Sequence, residues 1–174
     1  DLSMTPFRLA VALCALLLAG CKNTDIPEEI ASIFVEASPS SGGSMRQDVR
    51  LPVSQITITV MTRALVLAED ILNTDAITSG DPDLRQEFLL VQLDRKAAID
   101  VMNYTKEARG RRFVLVINDT AVGFMPIDQQ IVNGNLMFHV EKKGLSNTEA
   151  VMDISRRLNI SALKLRKLKE DERK

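Results

Sequence analysis

The 174-residue chain has no tryptophan and one tyrosine, and aromatic residues make up only 4% of it. That leaves little from which to build a stacking platform for bases or sugars. Histidine occurs once, at His139, and cysteine twice, at Cys14 and Cys21, both near the N-terminus. No His/Cys cluster stands at metal-ligand spacing, so no metal site is expected. Two such cysteines make no disulfide framework. Charge of one sign is also lacking: the formal net charge is −1, which offers no footprint for nucleic acid. A G-x-S-x-G elbow and a phosphate-cradling glycine pattern are missing too, since Gly42-Gly43-Ser44 reads as a flexible loop. The residues present point to no catalytic site and no cofactor.

What the chain does have begins with a targeting pattern. From Met4, Arg8 supplies a short positive region, and Leu9 to Leu18 is an apolar run too short to span a bilayer as a stable helix. Asp1 to Ser3 precede the expected start at Met4. Leu18-Ala19-Gly20-Cys21 follows, and it resembles the lipobox of bacterial lipoproteins. The resemblance implies a signal peptide over 1–20, cleavage before Cys21, and lipid attachment to that cysteine. Several acyl chains on one residue would anchor firmly where one would not. Cys14 leaves with the signal, so the mature chain has no free thiol. Lys22, in place of an acidic residue, favours the outer membrane over the inner, with the domain facing the periplasm of a bacterial envelope.

Residues 21–30 read as a lipidated tether and 31–160 as one α+β domain; 174 residues suffice for a genuine core. Ala31 to Ala37 is open to a strand or a short helix, and its β-branched residues favour the strand. Val49 to Val60 reads as a long strand interrupted at Pro52. Leu65 to Leu67 extends a strand, Glu69 to Ile71 begins a turn or helical segment, and Thr78 to Asp83 is a loop. Phe88 to Leu93 is a strand stopped by Asp94, a good N-cap. The helix after it carries Ala97, Ala98, Val101, Met102, Thr105 and Ala108 at spacings of three and four, with Gly110 placed as a left-handed cap.

The centre is Arg111 to Glu141. Phe113 to Ile117 is an unbroken apolar run, as for a strand buried on both faces. Asn118-Asp119 makes a tight turn, and Asn133-Gly134 is a hairpin signal. This predicts a three-stranded meander. Ser146-Asn147-Thr148-Glu149 is a capping box opening a second helix, with Val151, Ile154 and Leu158 buried and Asn159 able to end it. Residues 161–174 read as a charged helical tail, frayed and mostly solvated. The expected fold is therefore α+β, an antiparallel sheet with two helices on one face.

Leu67 to Asn159 resembles the head part of the first periplasmic domain of the SecD translocase subunit. The likeness rests on Glu69-Asp70-Ile71, Leu89-Val91-Leu93, Ala97-Ala98, Thr105 with Gly110, and Phe113 to Asp119. Val122, Pro126-Ile127, Asn133-Gly134 and Glu149-Ala150-Val151 complete it. The mature chain also resembles small exported lipoproteins of verrucomicrobial type, through Gly110-Arg111-Arg112, Val122-Gly123, Ile127-Asp128, Asn133-Gly134 and Val140-Glu141. Asp119-Thr120 departs from the Asp-Gly that SecD favours, and no transmembrane bundle follows. What the resemblance implies is a fold and contact with polypeptides, either the Sec machinery or exported chains; motor activity does not carry over. Fold does not fix function.

Arg109, Arg111 and Arg112 form the candidate interaction surface, able to take phosphate headgroups or an acidic partner. The bland account is a favourable placement near a helix C-terminus. The basic tail residues Lys164, Arg166, Lys167 and Lys169 could sit on anionic lipid, but Glu170, Asp171 and Glu172 dilute them. Asp119 and Asp128 could pair as acid and base, but read more simply as turn and loop residues. His139 alternates with Phe138 and Val140 and faces away from them. The expected function is a non-catalytic envelope module that binds protein, accessory to export, docking by strand addition at an exposed edge such as Ala31 to Ala37. A small-ligand or cell-wall-directed enzyme, and a structural lipoprotein without specific partner, are the alternatives.

Overall fold

The computed structural model describes residues 26–80 and 85–173, so the expected signal peptide, lipobox and Cys21 lie outside the described residues. The fold is α+β. A six-stranded antiparallel sheet contains β1 (Ala31–Val35), β4 (Ile71–Ser79), β5 (Gln86–Leu93), β6 (Arg112–Ile117), β7 (Thr120–Pro126) and β8 (Asn135–Val140), in the order β1-β6-β7-β8-β5-β4. β2 (Arg46–Arg50) and β3 (Thr57–Met61) make a separate antiparallel pair. Among the described residues there are two α-helices, α1 (Arg95–Thr105) and α2 (Asn147–Asp171).

β6 is the spine, as its apolar run predicts. Phe113 to Ile117 is buried throughout. Strand geometry sends alternate side chains to opposite faces, so Phe113, Leu115 and Ile117 join the core formed with Val101 of α1 and Val151, Ile154 and Leu158 of α2. Val114 and Val116 enter a second core with Leu51, Ile58 and Val60. Both helices therefore pack on one face, and the β2–β3 hairpin covers part of the other.

That hairpin corrects the long strand expected from Val49 to Val60. Pro52 stops the ladder, and Gln55 takes a positive φ of 60°. The turn is held from elsewhere: the Glu141 carboxylate accepts the Val53 and Ser54 amides at 2.7 and 2.9 Å.

The expected meander β6-β7-β8 is present. Asn118 and Asp119, at φ 47° and 65°, make its first turn. Asn133-Gly134 does not make a two-residue hairpin. It closes a longer connection from Ile127, in which the Gly134 carbonyl accepts the Leu93 amide at 3.0 Å. Pairing of β7 with β8 is accordingly confined to Gly123↔Val140 and Phe124↔His139.

Asp94 caps α1 by accepting the Ala97 amide at 2.8 Å. The helix ends at Thr105, earlier than its apolar spacing suggests, and the Thr105 hydroxyl donates to the Val101 carbonyl and accepts the Ile131 amide. Gly110 does take a left-handed φ of 83°, but it turns the chain into β6 rather than capping the helix.

Ser146 and Glu149 form the expected capping box of α2. Asn159 does not end that helix, which runs unbroken to Asp171. Instead its side-chain amide accepts the Thr74 N–H and donates to the Thr74 carbonyl, each at 2.8 Å. The tail after 160 is helical to Asp171 and largely exposed, with two ties to the domain: Lys169 pairs with Glu69 at 3.1 Å, and Arg166 donates to the Leu72 carbonyl.

Candidate functional site

Strand edges come first, since they decide where another chain could add. The outer side of β1, expected to be free, is occupied. The Ile33 N–H donates to the Val66 carbonyl, the Leu65 N–H donates to the Ile33 carbonyl, and the Ala37 N–H reaches Thr59 O on β3, all at 2.9 Å. The docking edge expected at Ala31 to Ala37 is thus closed by the chain itself. β4, at the other end of the sheet, is plugged by Asn159 at Thr74 and by Arg166 at Leu72.

β2 is different. Its partner β3 lies on one side only, with Asp48 opposite Thr59 and Gln47 opposite Val60. The Leu51 N–H donates to Ile56 O, and the Thr62 N–H donates to Met45 O. These bonds fix the phase of the ladder: odd-numbered residues face β3, and the N–H and C=O groups of Asp48 and Arg50 point outward with the Arg46 C=O, the Arg46 N–H being taken by the Gly43 carbonyl. Arg46, Gln47, Asp48 and Arg50 are exposed. The charged side chains at 46, 48 and 50 guard this edge against indiscriminate pairing.

The structure separates the three candidate arginines. The Arg109 Nε donates to the Asp128 carbonyl at 2.6 Å, binding the loop after β7. Arg112 makes a two-pronged pair with Glu36, with contacts of 2.5 and 2.9 Å, and that bond raises its pKa above the ordinary guanidinium value against the opposing effect of burial. Arg111 alone faces open space. It lines a cleft of about 580 Å³ with Arg63, Tyr104, Met61, Leu65 and Val35. Among the described residues, its side chain's only hydrogen bond there runs from Nη1 to the Tyr104 hydroxyl at 3.5 Å.

Three acids share the cleft, and each is engaged. Glu36 holds Arg112; the Asp70 carboxylate accepts the Leu67 N–H at 2.9 Å; Asp100 pairs with Lys96 at 3.9 Å. Arg63 is exposed, and among the described residues its side chain makes no hydrogen bond or ion pair. Sequence reading missed Arg63, and the only signal would have been a lone cation directly after a strand. It also missed the β2 edge, although charge at every second position was visible.

His139 faces away from Phe138 and Val140, as its alternation predicts, but it is not free in solvent. Its ring lies 4.5 Å from that of Phe88 and 5.5 Å from that of Phe124, and burial lowers its pKa. Asp119 and Asp128 stand at opposite ends of β7 and cannot share a proton. Among the described residues, no group of His, Cys, Asp and Glu could hold a metal ion, and no helix is long and apolar enough to cross a membrane.

No family model and no curated protein matches the chain. Two solved structures are similar to it at low identity. One is a SecDF chain from work on the structure and function of a membrane component that enhances protein export. It is 13% identical with a TM-score of 0.46, and the match covers 94% of this chain and 71% of that one. The other is SecDF in a super-membrane-facing form, 11% identical with a TM-score of 0.43, covering 91% of this chain and 32% of that one. SecDF, which the sequence resembles, is thus among the structural neighbours, at a similarity too low to bring its activity here.

Proposed function

We propose that this chain is a non-catalytic envelope lipoprotein that binds extended polypeptide by adding it as a strand to β2. The carrying observation is the outward row of backbone groups at Asp48 and Arg50 with the Arg46 carbonyl, where the outer side of β1 is taken by Val66 and Thr59 and β4 is plugged at Leu72 and Thr74 by Arg166 and Asn159. Main-chain hydrogen bonds would supply the affinity, and the side chains at 46, 48 and 50 would select the partner. The resemblance to the SecD head domain brings export into the proposal. The occupants of the edge are then exported chains or a component of the Sec machinery.

Anchorage through lipid on Cys21 would keep this edge near a bacterial membrane, the outer membrane being favoured. Residues 26–30 support a short reach. Glu29 pairs with Arg157 of α2 at 2.6 Å, its amide donates to Ser161, and Asn118 binds both the Ile30 amide and the Glu28 carbonyl. Five peptide steps from Cys21 to Ile26 span at most about 18 Å. The domain would ride on the bilayer surface.

The test is in-cell crosslinking followed by affinity capture, with Cys21→Ser and Asp48→Pro as variants. Proline at 48 removes one outward N–H while leaving the backbone bonds to β3 in place, as an edge strand allows; the Thr59 hydroxyl's 2.6 Å bond to the Asp48 carboxylate is lost in Asp48→Pro and Asp48→Ala alike, so the pair isolates the N–H. The expected result is release of Cys21→Ser from the membrane and loss of crosslinked exported chains in Asp48→Pro, but not in Asp48→Ala. Equal capture by Asp48→Pro and the parent would refute strand addition.

A further inference from the structure

We propose that the cleft between the end of β1, the segment after β3 and α1 is a second binding site, specific for the C-terminal carboxylate of a polypeptide. None of Arg46, Asp48 and Arg50 lines it, and it stands or fails independently of strand addition at β2.

Two guanidinium groups, Arg63 and Arg111, face this cleft without an acidic partner among the described residues, while the acids beside them are already engaged. Arginine's planar fork suits a carboxylate held by two parallel hydrogen bonds. Glu36, Asp70 and Asp100 balance Arg63, Lys96 and Arg111 in formal charge, and Arg112 behind Glu36 leaves one positive charge over. One charge in excess matches a monoanion. A phosphate dianion would sit uncompensated beside three carboxylates.

The walls fit the rest of a chain end. Val35, Met61, Leu65 and the Tyr104 ring give an apolar surface on which a terminal side chain can lie. At about 580 Å³ the volume is that of a site for a drug-sized ligand. Yet the rim is open: Arg63, Lys96, Asp100 and Leu67 are all exposed. A small free acid would be buried on one side only, whereas a polypeptide can seat its last residues and run out over the rim.

The experiment uses the full-length chain in detergent and fluorescence polarisation of labelled trileucine, compared with the same peptide amidated at its C-terminus. The free acid should bind, and amidation should weaken binding by about tenfold or more, as expected for losing hydrogen bonds to a charged group. Arg63→Gln and Arg111→Gln should each weaken the acid and leave the amide unchanged. The exposed Arg63 side chain has no hydrogen bond or ion pair among the described residues, so Arg63→Gln should melt at the parent's temperature, which thermal unfolding of the same sample checks. Arg109→Gln removes the same charge outside the cleft and should change nothing. Equal binding of acid and amide, no binding of either, or an equal loss with Arg109→Gln would overturn the proposal. So would hexanoate or inorganic phosphate competing as tightly as the peptide, which would make this a site for small anions.

Discussion

Replacing Asn159 by alanine separates two accounts of the second helix by sign. If Asn159 merely marked a helix end, alanine would improve helix propensity by about 0.5 kcal/mol. In the structure it is a side-chain substitute for a strand: its amide accepts the Thr74 N–H and donates to the Thr74 carbonyl, both at 2.8 Å. Thr74 is only 2% exposed, so water cannot easily replace those bonds. Each buried group left unsatisfied costs about 1–3 kcal/mol. After subtracting the propensity gain, Asn159→Ala should destabilise the domain by about 2 kcal/mol or more, a large share of an ordinary domain's total. Urea unfolding followed by far-UV circular dichroism measures this, with the exposed Asn103→Ala of α1 as the propensity control. Amide exchange at Thr74 should accelerate in the same variant. A variant as stable as the parent, with unchanged exchange at Thr74, would refute the reasoning.

Gly123→Ala should cost about 1–3 kcal/mol, because a Cβ there would stand 2.4 Å from the His139 carbonyl oxygen and the β7–β8 contact would have to open; thermal melting reads it. His139 has a pKa depressed by burial, so the unfolded chain binds its proton more readily. Its contribution to stability is present above the ordinary histidine value and is lost as pH falls through that value toward the folded one. His139→Gln should accordingly show a smaller loss between pH 7 and pH 5 than the parent, measured by urea midpoints at each pH. Arg112→Met strands the half-buried Glu36 carboxylate and should cost about 1–2 kcal/mol, of which Glu36→Met on top should recover part; a double-mutant cycle decides it.

Much of the fold was legible where one stretch carries its own instructions. Phe113 to Ile117 had to be buried on both faces, and Asp94 and the Ser146–Glu149 box had to start helices, since their partners lie within four residues. What could not be read depends on distant partners. The turn at Pro52 is held by Glu141, and α2 continues past Asn159 because Thr74 occupies its side chain. The same holds for the candidate sites. Three neighbouring arginines suggest one basic surface, but Glu36 and the Asp128 carbonyl take two of them. Arg63 joins the third only through the path of the chain after β3. The expected docking edge at β1 was a sound inference from pattern, undone by Val66 and Thr59.

The most direct test of strand addition is residue-resolved amide exchange on the full-length chain, with and without a permanently unfolded polypeptide such as reduced, carboxymethylated lactalbumin. Strand addition predicts new protection at the outward amides of Asp48 and Arg50, with little change at the Arg46 amide, already bonded to the Gly43 carbonyl, and at the odd-numbered amides already bonded to β3. Protection confined to other surfaces, or none at saturating polypeptide, would contradict it.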